Sequence, residues 1–458
     1  MNIIESLNAL VMYKIFGVPF LIIILFGGAL INNYILSFIN LRFICHAFSL
    51  LFKKRTAKSD EISSFSSLMS SVGGTLGIGN IVGSAVAIYI GGPGTLFWIL
   101  IIGFVVSGLK FTEVYLSHKY RLTSKDSIIT GGAFVYIKEG IGGAMGLKKF
   151  AKILNLFYIP SFLIAYSSAS MFQAQQISVT LLSQEVVSGG VSNPSMVIYS
   201  AVFFILLLII LLGGIKRIGS LSEKIVPVMI FIYMFLVSYQ IISNVNNLSS
   251  SISIIISDAF NQNSMLGGVV FTIAYAAQRM IFGGEIATGI SGVINSNSNV
   301  KNSVEQAMIV GIEPIFVSIL MFLSGLAIIT TIGYDPEITY EGVNYIYNAY
   351  SLSSLPFAIP ILKIVICLFG VTTIIGNGYV FEKCIYFIFG SKSTIIRKIS
   401  QVAFCVYIVS GLFMPMKSVL ALGDLTFIMM LIPNIIAILF LTFKVKKDSG
   451  KYISEIRK

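Results

Sequence analysis

Charge is what this sequence has least of. Only 11% of its 458 residues are Asp, Glu, Lys or Arg, against roughly a quarter in soluble globular domains, too few to coat a water-soluble fold of this length. Histidine is nearly absent: His46 and His118 are the two, and both read as solvated groups at the edges of apolar segments. Little is left for His-centred catalysis. The four cysteines, Cys45, Cys367, Cys384 and Cys405, stand isolated. They have neither CxxC nor metal-like spacing, which argues against a disulfide framework or a structural metal, and they read as small apolar residues. No cofactor fingerprint is present. A net charge of +12 would point to nucleic acid only if the basic residues clustered on one soluble surface, and they do not.

What is abundant is apolar sequence, 56% of the chain. It gathers into eleven hydrophobic spans, at roughly 15–38, 66–90, 95–117, 153–182, 195–213, 225–246, 266–294, 304–332, 356–380, 400–415 and 419–443. Most are long enough for a helix to cross a hydrocarbon layer about 30 Å thick. The first is too long for a signal-peptide core and lacks a small-residue cleavage pattern, so it is read as a helix. The expected fold is therefore an all-α polytopic membrane protein forming a single transmembrane domain over 1–458.

The basic residues then acquire a geometry. Lys and Arg concentrate in alternate loops: Arg42 to Lys58, Lys119 to Lys152, Lys216 to Lys224, Lys301, Lys383 to Lys398, and the tail from Lys444 to Lys458. The opposite loops, 184–194, 247–264 and 333–355, contain no Lys or Arg. The positive-inside rule places the C-terminus in the cytoplasm and, with eleven spans, the N-terminus outside. Within the cytoplasmic loops, residues 41–52 put Leu41, Ile44, Phe48 and Leu51 at helical spacing, as in an interfacial helix, with 131–143 as partner. A helix resting at the headgroups is favoured over a moving gate.

The second span carries GGTLGIGNIVGSAVAIYIGGPG at 73–94. Gly73, Gly74, Gly77, Gly79 and Gly83 weaken its centre as a helix, and Asn80 adds an amide at membrane depth. Two readings remain open on these residues alone: a broken helix whose free N–H and C=O groups face a solute and an ion, or close packing through small residues. The seventh span also has a glycine-rich polar centre, with Arg279 and Glu285 flanking Phe282-Gly283-Gly284, where a break is expected. Four spans separate the two, the arrangement of a five-plus-five inverted repeat with discontinuous first and sixth helices, preceded by one extra helix.

Other intramembrane polar groups are fewer. Lys110 and Glu113, three residues apart on one helix face, read as a structural pair. Gln173, Gln175 and Gln176 cluster in the fourth span, with Gln173 and Gln176 on one face and Gln173 as the candidate ligand contact. Thr372 and Thr373 stand together in the ninth, their oxygens suited to a small hard cation or, individually, to bonding their own helix.

GIGNIVGSAVAIYIGGPGTLFW followed by KFTEVYLSHKYR (77–121) resembles the signature region of the sodium:alanine symporters, also called the alanine or glycine:cation symporter family. The likeness continues through GGAFVYIKEGIG, Gln173, GGIKRI, RMIFGGEIATG, VTTIIGNGYVFEK and LIPNIIAIL, covering almost the whole chain. The resemblance implies a LeuT-like core and sodium-driven uptake of a small neutral amino acid, chiefly alanine or glycine, by a monomer in the prokaryotic inner membrane. It implies that N–H groups of Ile78 and Gly79 meet the substrate carboxylate, that Thr75, Asn80, Gln173 and Asn377 surround the substrate, and that Phe282 closes over it. Sodium is then held by carbonyls of Gly73 and Leu76 with Thr372 and Thr373. The chain departs from the family pattern where Gly283-Gly284 replaces Ser-Asn, where Val317-Ser318 replaces an acidic residue followed by Thr, and where Asn377 replaces Trp. A pocket made larger and more polar follows from the last change, which puts alanine specificity in question. The rival expectations are a proton-coupled carrier using Glu113 or Glu285 and, more remotely, a membrane-embedded enzyme or signalling protein.

Overall fold

The computed structural model describes residues 13–15, 18–51, 76–123, 129–182, 184–212, 216–261, 268–298, 300, 302–335, 342–390 and 394–456. Gly73 and Thr75, and the segment leading into the second span, lie outside them. The helices that carry the argument are α1 (Phe20–Ile35), α2 (Ile44–Leu51), α3 (Ile78–Gly91), α4 (Gly94–Lys119), α5 (Lys148–Leu182), α6 (Pro194–Leu212), α7 (Lys216–Ser243), α8 (Leu248–Ala259), α9 (Gly268–Gly284), α10 (Ile290–Asn295), α11 (Ser303–Gly311), α12 (Glu313–Ile332), α13 (Val343–Ser351), α14 (Ala358–Phe389), α15 (Thr394–Ser410) and α16 (Met416–Ile456). Two antiparallel ladders of two residues per strand, Lys14–Ile15 with Val18–Pro19 and Leu122–Thr123 with Ile129–Thr130, are the strands among the described residues.

Eight helical stretches among the described residues are long and apolar enough to cross a membrane: 94–119, 148–182, 194–212, 225–243, 303–332, 358–389, 395–413 and 416–456. The other three expected spans correspond to the shorter α1, α3 and α9. Burial grades the eight from inner to outer. Two-thirds of the apolar window of α4, α11–α12 and α16 is buried (67%), against 28% for α6 and for 395–413. The outer helices turn Ile198, Ile209, Phe231 and Ile242 outward, a surface that water would penalise and lipid tails solvate without cost. α16 packs along α5, and α4 is gripped by α9, α11 and α12.

Helix ends are fixed by distant groups. The Gly94 N–H at the start of α4 donates to Asp258 Oδ2 of α8 at 2.8 Å, and Trp98 Nε1 donates to the Ala259 carbonyl at 3.0 Å. This satisfies an otherwise orphaned amide at a helix N-terminus. A Cβ on Gly94 would lie 2.3 Å from the Ala259 amide nitrogen, so only glycine admits α8 there.

Several expectations are corrected. The seventh span does break, but after Phe282-Gly283-Gly284, which form the last turn of α9. The chain is non-helical over 285–289 and resumes as α10. Glu285 (φ 48°), Ala287 (φ 58°) and Gly289 (φ 83°) adopt left-handed backbone conformations that a right-handed helix cannot contain. Lys110 does not pair with Glu113: its Nζ lies 3.4 Å from Glu313 Oε1 at the start of α12, because Glu113 is turned to the break. Arg279 pairs with Asp424 of α16. The 131–143 stretch is no surface partner of α2; Phe134, Val135, Tyr136 and Ile137 are wholly buried, while α2 packs on α11. Its inward face is Ala47 and Leu50. His118 is likewise no solvated loop residue. It is buried in the last turn of α4, with Nδ1 3.0 Å from Ser303 Oγ.

Candidate functional site at the helix break

The site is assembled where α3 begins and α9 ends. Gly77 precedes α3 with extended ψ (φ −107°, ψ −172°), and the helix starts at Ile78. Helix N-termini leave N–H groups unpaired and carry a partial positive charge. Here the Ile78 N–H donates to Gln173 Oε1 of α5 at 3.0 Å. Gln173 is 4% exposed and Ile78 fully buried, so this oxygen is held at membrane depth in a dry setting.

Glycine lets the elements meet. A Cβ on Gly77 would fall 2.5 Å from Thr373 Oγ1 and 2.8 Å from Gln173 Nε2, so α5 and α14 both press their polar atoms against this residue. A Cβ on Gly283 would stand 2.8 Å from Asn80 Oδ1 and 2.9 Å from the Gly79 carbonyl. The position where the family pattern carries Ser is thus the crossing point of α3 and α9. Phe282, one residue earlier, places its ring edge near Gly79 and packs edge-on against Phe172 (5.4 Å between centroids) and Phe427 (5.6 Å).

The expected residues separate into groups. Ile78, Gly79, Asn80, Gln173, Phe282 and Thr373 converge on one place. Asn377, one turn beyond Thr373 on α14, is buried and donates to Ser170 Oγ at 3.1 Å. Leu76 is buried just ahead of Gly77. Thr372 is not brought in: its hydroxyl donates to the Leu368 carbonyl of its own helix at 2.9 Å. Adjacent helical residues point about 100° apart, and it is the Thr373 hydroxyl that is turned to Gly77. Thr373 Oγ1, in contrast, is buried and makes no hydrogen bond among the described residues. Gln175 donates to the Met414 carbonyl at 2.6 Å, and Gln176 accepts the Val343 N–H at 3.0 Å. Gln173 alone of the three turns to the site.

The break is held open by Glu113, to which the sequence assigned another partner, and by groups that sequence reasoning missed. Freed backbone atoms in a low-dielectric interior require partners. Gly289 N–H donates to Glu113 Oε1 at 3.0 Å, Asn434 Nδ2 donates to the Ala287 carbonyl at 2.7 Å, and Tyr158 OH donates to the Thr288 carbonyl at 2.5 Å. Asn434 Nδ2 also reaches Glu113 Oε1 at 2.6 Å, and Tyr166 OH donates to Thr288 Oγ1 at 3.2 Å. α4, α5 and α16 together therefore replace the helical hydrogen bonds that residues 285–289 give up. The signal for Asn434 and Asp424 was present: both are polar residues within the final apolar span, the kind that lipid tolerates only with a partner.

The family model described as "Sodium:alanine symporter family" matches residues 1–458. An uncharacterized transporter of Haemophilus influenzae is 28% identical over 99% of this chain and 97% of its own length. The sodium/alanine symporter AgcS of Methanococcus maripaludis is 26% identical, over 96% and 95%. A probable sodium/glutamine symporter, GlnT, of Bacillus subtilis is 28% identical, over 92% and 85%. Among solved structures, a Na+-coupled sialic acid symporter shares the fold at a TM-score of 0.51 and 12% identity, over 83% of this chain and 80% of that one. With a whole-chain family match, apolar spanning helices and polar groups gathered at a helix break, this chain belongs to the sodium:alanine symporter family and is a multi-pass membrane transporter, not an enzyme.

Proposed function

We propose that the protein couples sodium entry to uptake of a small neutral amino acid, alanine or glycine first, by alternating access. The observation that carries this reading is the Ile78 N–H held by the neutral oxygen of Gln173. A helix N-terminus of this kind binds anions, and a carboxylate displaces an amide oxygen from it because the charge-assisted bond is stronger. The substrate carboxylate takes the Ile78 and Gly79 N–H groups, Asn80, Gln173 and Thr75 orient the amino acid, and Phe282 closes over its side chain. Sodium takes Thr373 Oγ1 with the carbonyls of Leu76 and Gly73. Thr372, whose hydroxyl is engaged by its own helix, is left out.

In this reading 66–246 and 266–443 are the two inverted repeats, 15–38 is the extra helix, and 444–458 is a cytoplasmic tail, with the N-terminus outside. The chain works as a monomer. The driving force suffices: one charge crossing 100 mV supplies about 2.3 kcal/mol and a tenfold sodium gradient about 1.4 kcal/mol. Together they support accumulation of roughly several hundredfold.

The buried Asn377–Ser170 pair one turn from Thr373 favours a second reading, a neutral amino acid whose side chain ends in an amide. Both are tested in proteoliposomes. An imposed sodium gradient should drive labelled alanine uptake, with unlabelled glycine and glutamine ranked by competition. Uptake that persists without sodium and follows an imposed pH gradient instead would overturn sodium coupling, and failure of all neutral amino acids would overturn the substrate class.

A further inference from the structure

α16 is held on two sides by different chemistry. Toward α4 its contacts are polar and recur along the helix. Asn434 Nδ2 donates to Glu113 Oε1 at 2.6 Å. About two turns on, Thr442 Oγ1 donates to Asn32 Oδ1 at 2.9 Å, and Thr112 of α4 reaches that same oxygen at 3.1 Å. Asp448 then accepts from both Tyr115 and Lys119, toward the end of α4. The middle rung of this ladder comes from neither helix, since Asn32 belongs to α1. α1 is fixed in turn to both partners. Asn33 Nδ2 donates to the Val105 carbonyl of α4 at 2.6 Å, and Asn40, just past α1, donates to the carbonyls of Ser107 in α4 and Gly311 in α11, both at 2.8 Å. Gly28 of α1 lies so close to α16 that a Cβ there would stand 2.6 Å from Ile435 Cγ2. Asn32, Asn33 and Asn40 are all buried.

Toward α5 the contact is more extensive but apolar. The Tyr166 ring meets Phe427 at 5.5 Å between centroids, and Phe150 meets Phe440 at 5.4 Å. The polar groups of α5 turn elsewhere: the Tyr158 and Tyr166 hydroxyls to Thr288, Gln173 to the Ile78 N–H, and Gln175 to the Met414 carbonyl, two residues before α16 begins. Parting the ladder would strand hydrogen-bonding groups and a carboxylate in a dry interior, which is costly. Sliding along an apolar seam exchanges one van der Waals contact for another, the shear by which packed helices move. When α4 and α5 shift against each other, α16 therefore follows α4.

We infer that α1, α4 and the C-terminal half of α16 move as one body along α5 during transport, with Asn32 as the positioning residue that joins α4 to α16. The inference rests on the transport reading above for the existence of the motion. Its consequence for the site lies at the break. Glu113 and Asn434, on the moving body, hold Gly289 and Ala287, whereas Tyr158 and Tyr166 of α5 hold Thr288 between them. The break thus straddles the seam, and a slide of α16 along α5 acts directly on residues 287–289. Asn32 reaches the site only through Thr112 and Thr442.

The test uses the full chain with Cys45, Cys367, Cys384 and Cys405 changed to Ala, in proteoliposomes, with labelled alanine driven by a sodium gradient. Gly28→Cys with Ile435→Cys sets two Cβ atoms 3.8 Å apart, the spacing of a disulfide. Closing that bond ties α1 to α16 and should leave uptake unchanged. Phe150→Cys with Phe440→Cys, joined by a short bis-methanethiosulfonate, ties α16 to α5 and should abolish uptake until a reductant releases it. Asn32→Leu should lower kcat about tenfold, the scale of one buried hydrogen bond, with KM for alanine unaltered, and closing the α1–α16 disulfide in that background should restore kcat. Loss of uptake on closing the α1–α16 disulfide overturns the inference, as does uptake that continues with α16 tied to α5. An unaltered kcat in Asn32→Leu, or a lowered kcat that the disulfide fails to restore, overturns the role of Asn32. Each cysteine pair is read against its own reduced form; where a reduced pair is inactive, the kcat and KM of Asn32→Leu decide. Wild-type protein that takes up no neutral amino acid overturns the transport reading instead, so the two failures are distinct.

Discussion

Gln173 Oε1 accepts the first N–H of α3, that of Ile78, at 3.0 Å. This bond joins the middle of α5 to the N-terminus of α3, and it makes a neutral side chain the partner of a helix terminus, where negative charge is stabilised. In the proposed function, exchange of this oxygen for a substrate carboxylate keeps the N–H paired throughout.

Gln173→Glu is expected to place a permanent carboxylate on that terminus. The substrate carboxylate then competes with a fixed charge, so KM for alanine should rise at least about tenfold, corresponding to about 1.4 kcal/mol, with expression preserved. Gln173→Leu should not raise KM in this way, because the Ile78 N–H that it leaves unpaired in the empty carrier stays open to the substrate carboxylate. Uptake kinetics in proteoliposomes separate the two, and an unchanged KM in Gln173→Glu would contradict the role assigned to this oxygen.

The two threonines of α14 are expected to behave oppositely. Thr373→Val removes a buried hydroxyl with no hydrogen bond among the described residues and should raise the sodium concentration for half-maximal uptake by about tenfold, near 1.4 kcal/mol. Thr372→Val removes a hydroxyl that bonds only the carbonyls of Leu368 and Phe369 in its own helix and should leave sodium dependence unaltered. Equal effects in sodium titrations would reject the assignment.

Gly283→Ser restores the residue of the family pattern, yet it should harm this protein. The added Cβ meets Asn80 Oδ1 at 2.8 Å and the backbone carbonyl of Gly79 at 2.9 Å, and backbone cannot swing aside as a flexible side chain can. Overpacking of this kind costs about 1–3 kcal/mol. Melting temperature in detergent should fall and uptake should drop by more than about tenfold; wild-type values for both would show that α3 and α9 have slack at this crossing.

Glu313→Gln leaves Lys110 as a fully buried cation without its carboxylate partner. Removing one member of a buried pair costs about 3–5 kcal/mol, whereas replacing both with apolar groups is often close to neutral. The single variant should be recovered in poor yield, and Lys110→Met with Glu313→Met should regain much of the stability, as read by thermal unfolding of the purified protein.

The particular residues show where the sequence was readable. The paired glycine-rich centres of α3 and the seventh span were visible because glycine and polar side chains are conspicuous within apolar runs. Partner choice was not visible. Lys110 and Glu113 share a helix face, which made them the natural pair, yet Glu113 turns to the Gly289 amide and Lys110 to Glu313. Likewise the break was expected at Gly283-Gly284, and those residues remain helical, with the bare Cα of Gly283 used for the crossing with α3 and that of Gly284 packed on Ile286 and Val317.

Composition, hydrophobic span length and charge asymmetry thus determined by themselves that this chain lies in a membrane, and where its helices are weak, because those properties are summed along the chain and need no partner. Which carboxylate meets which cation, which of two adjacent threonines faces the site, and which side chains satisfy residues 285–289 were decided only by tertiary structure. A buried charge or free amide takes whatever complementary group the packing brings within about 3 Å, and helices far apart in sequence supply it.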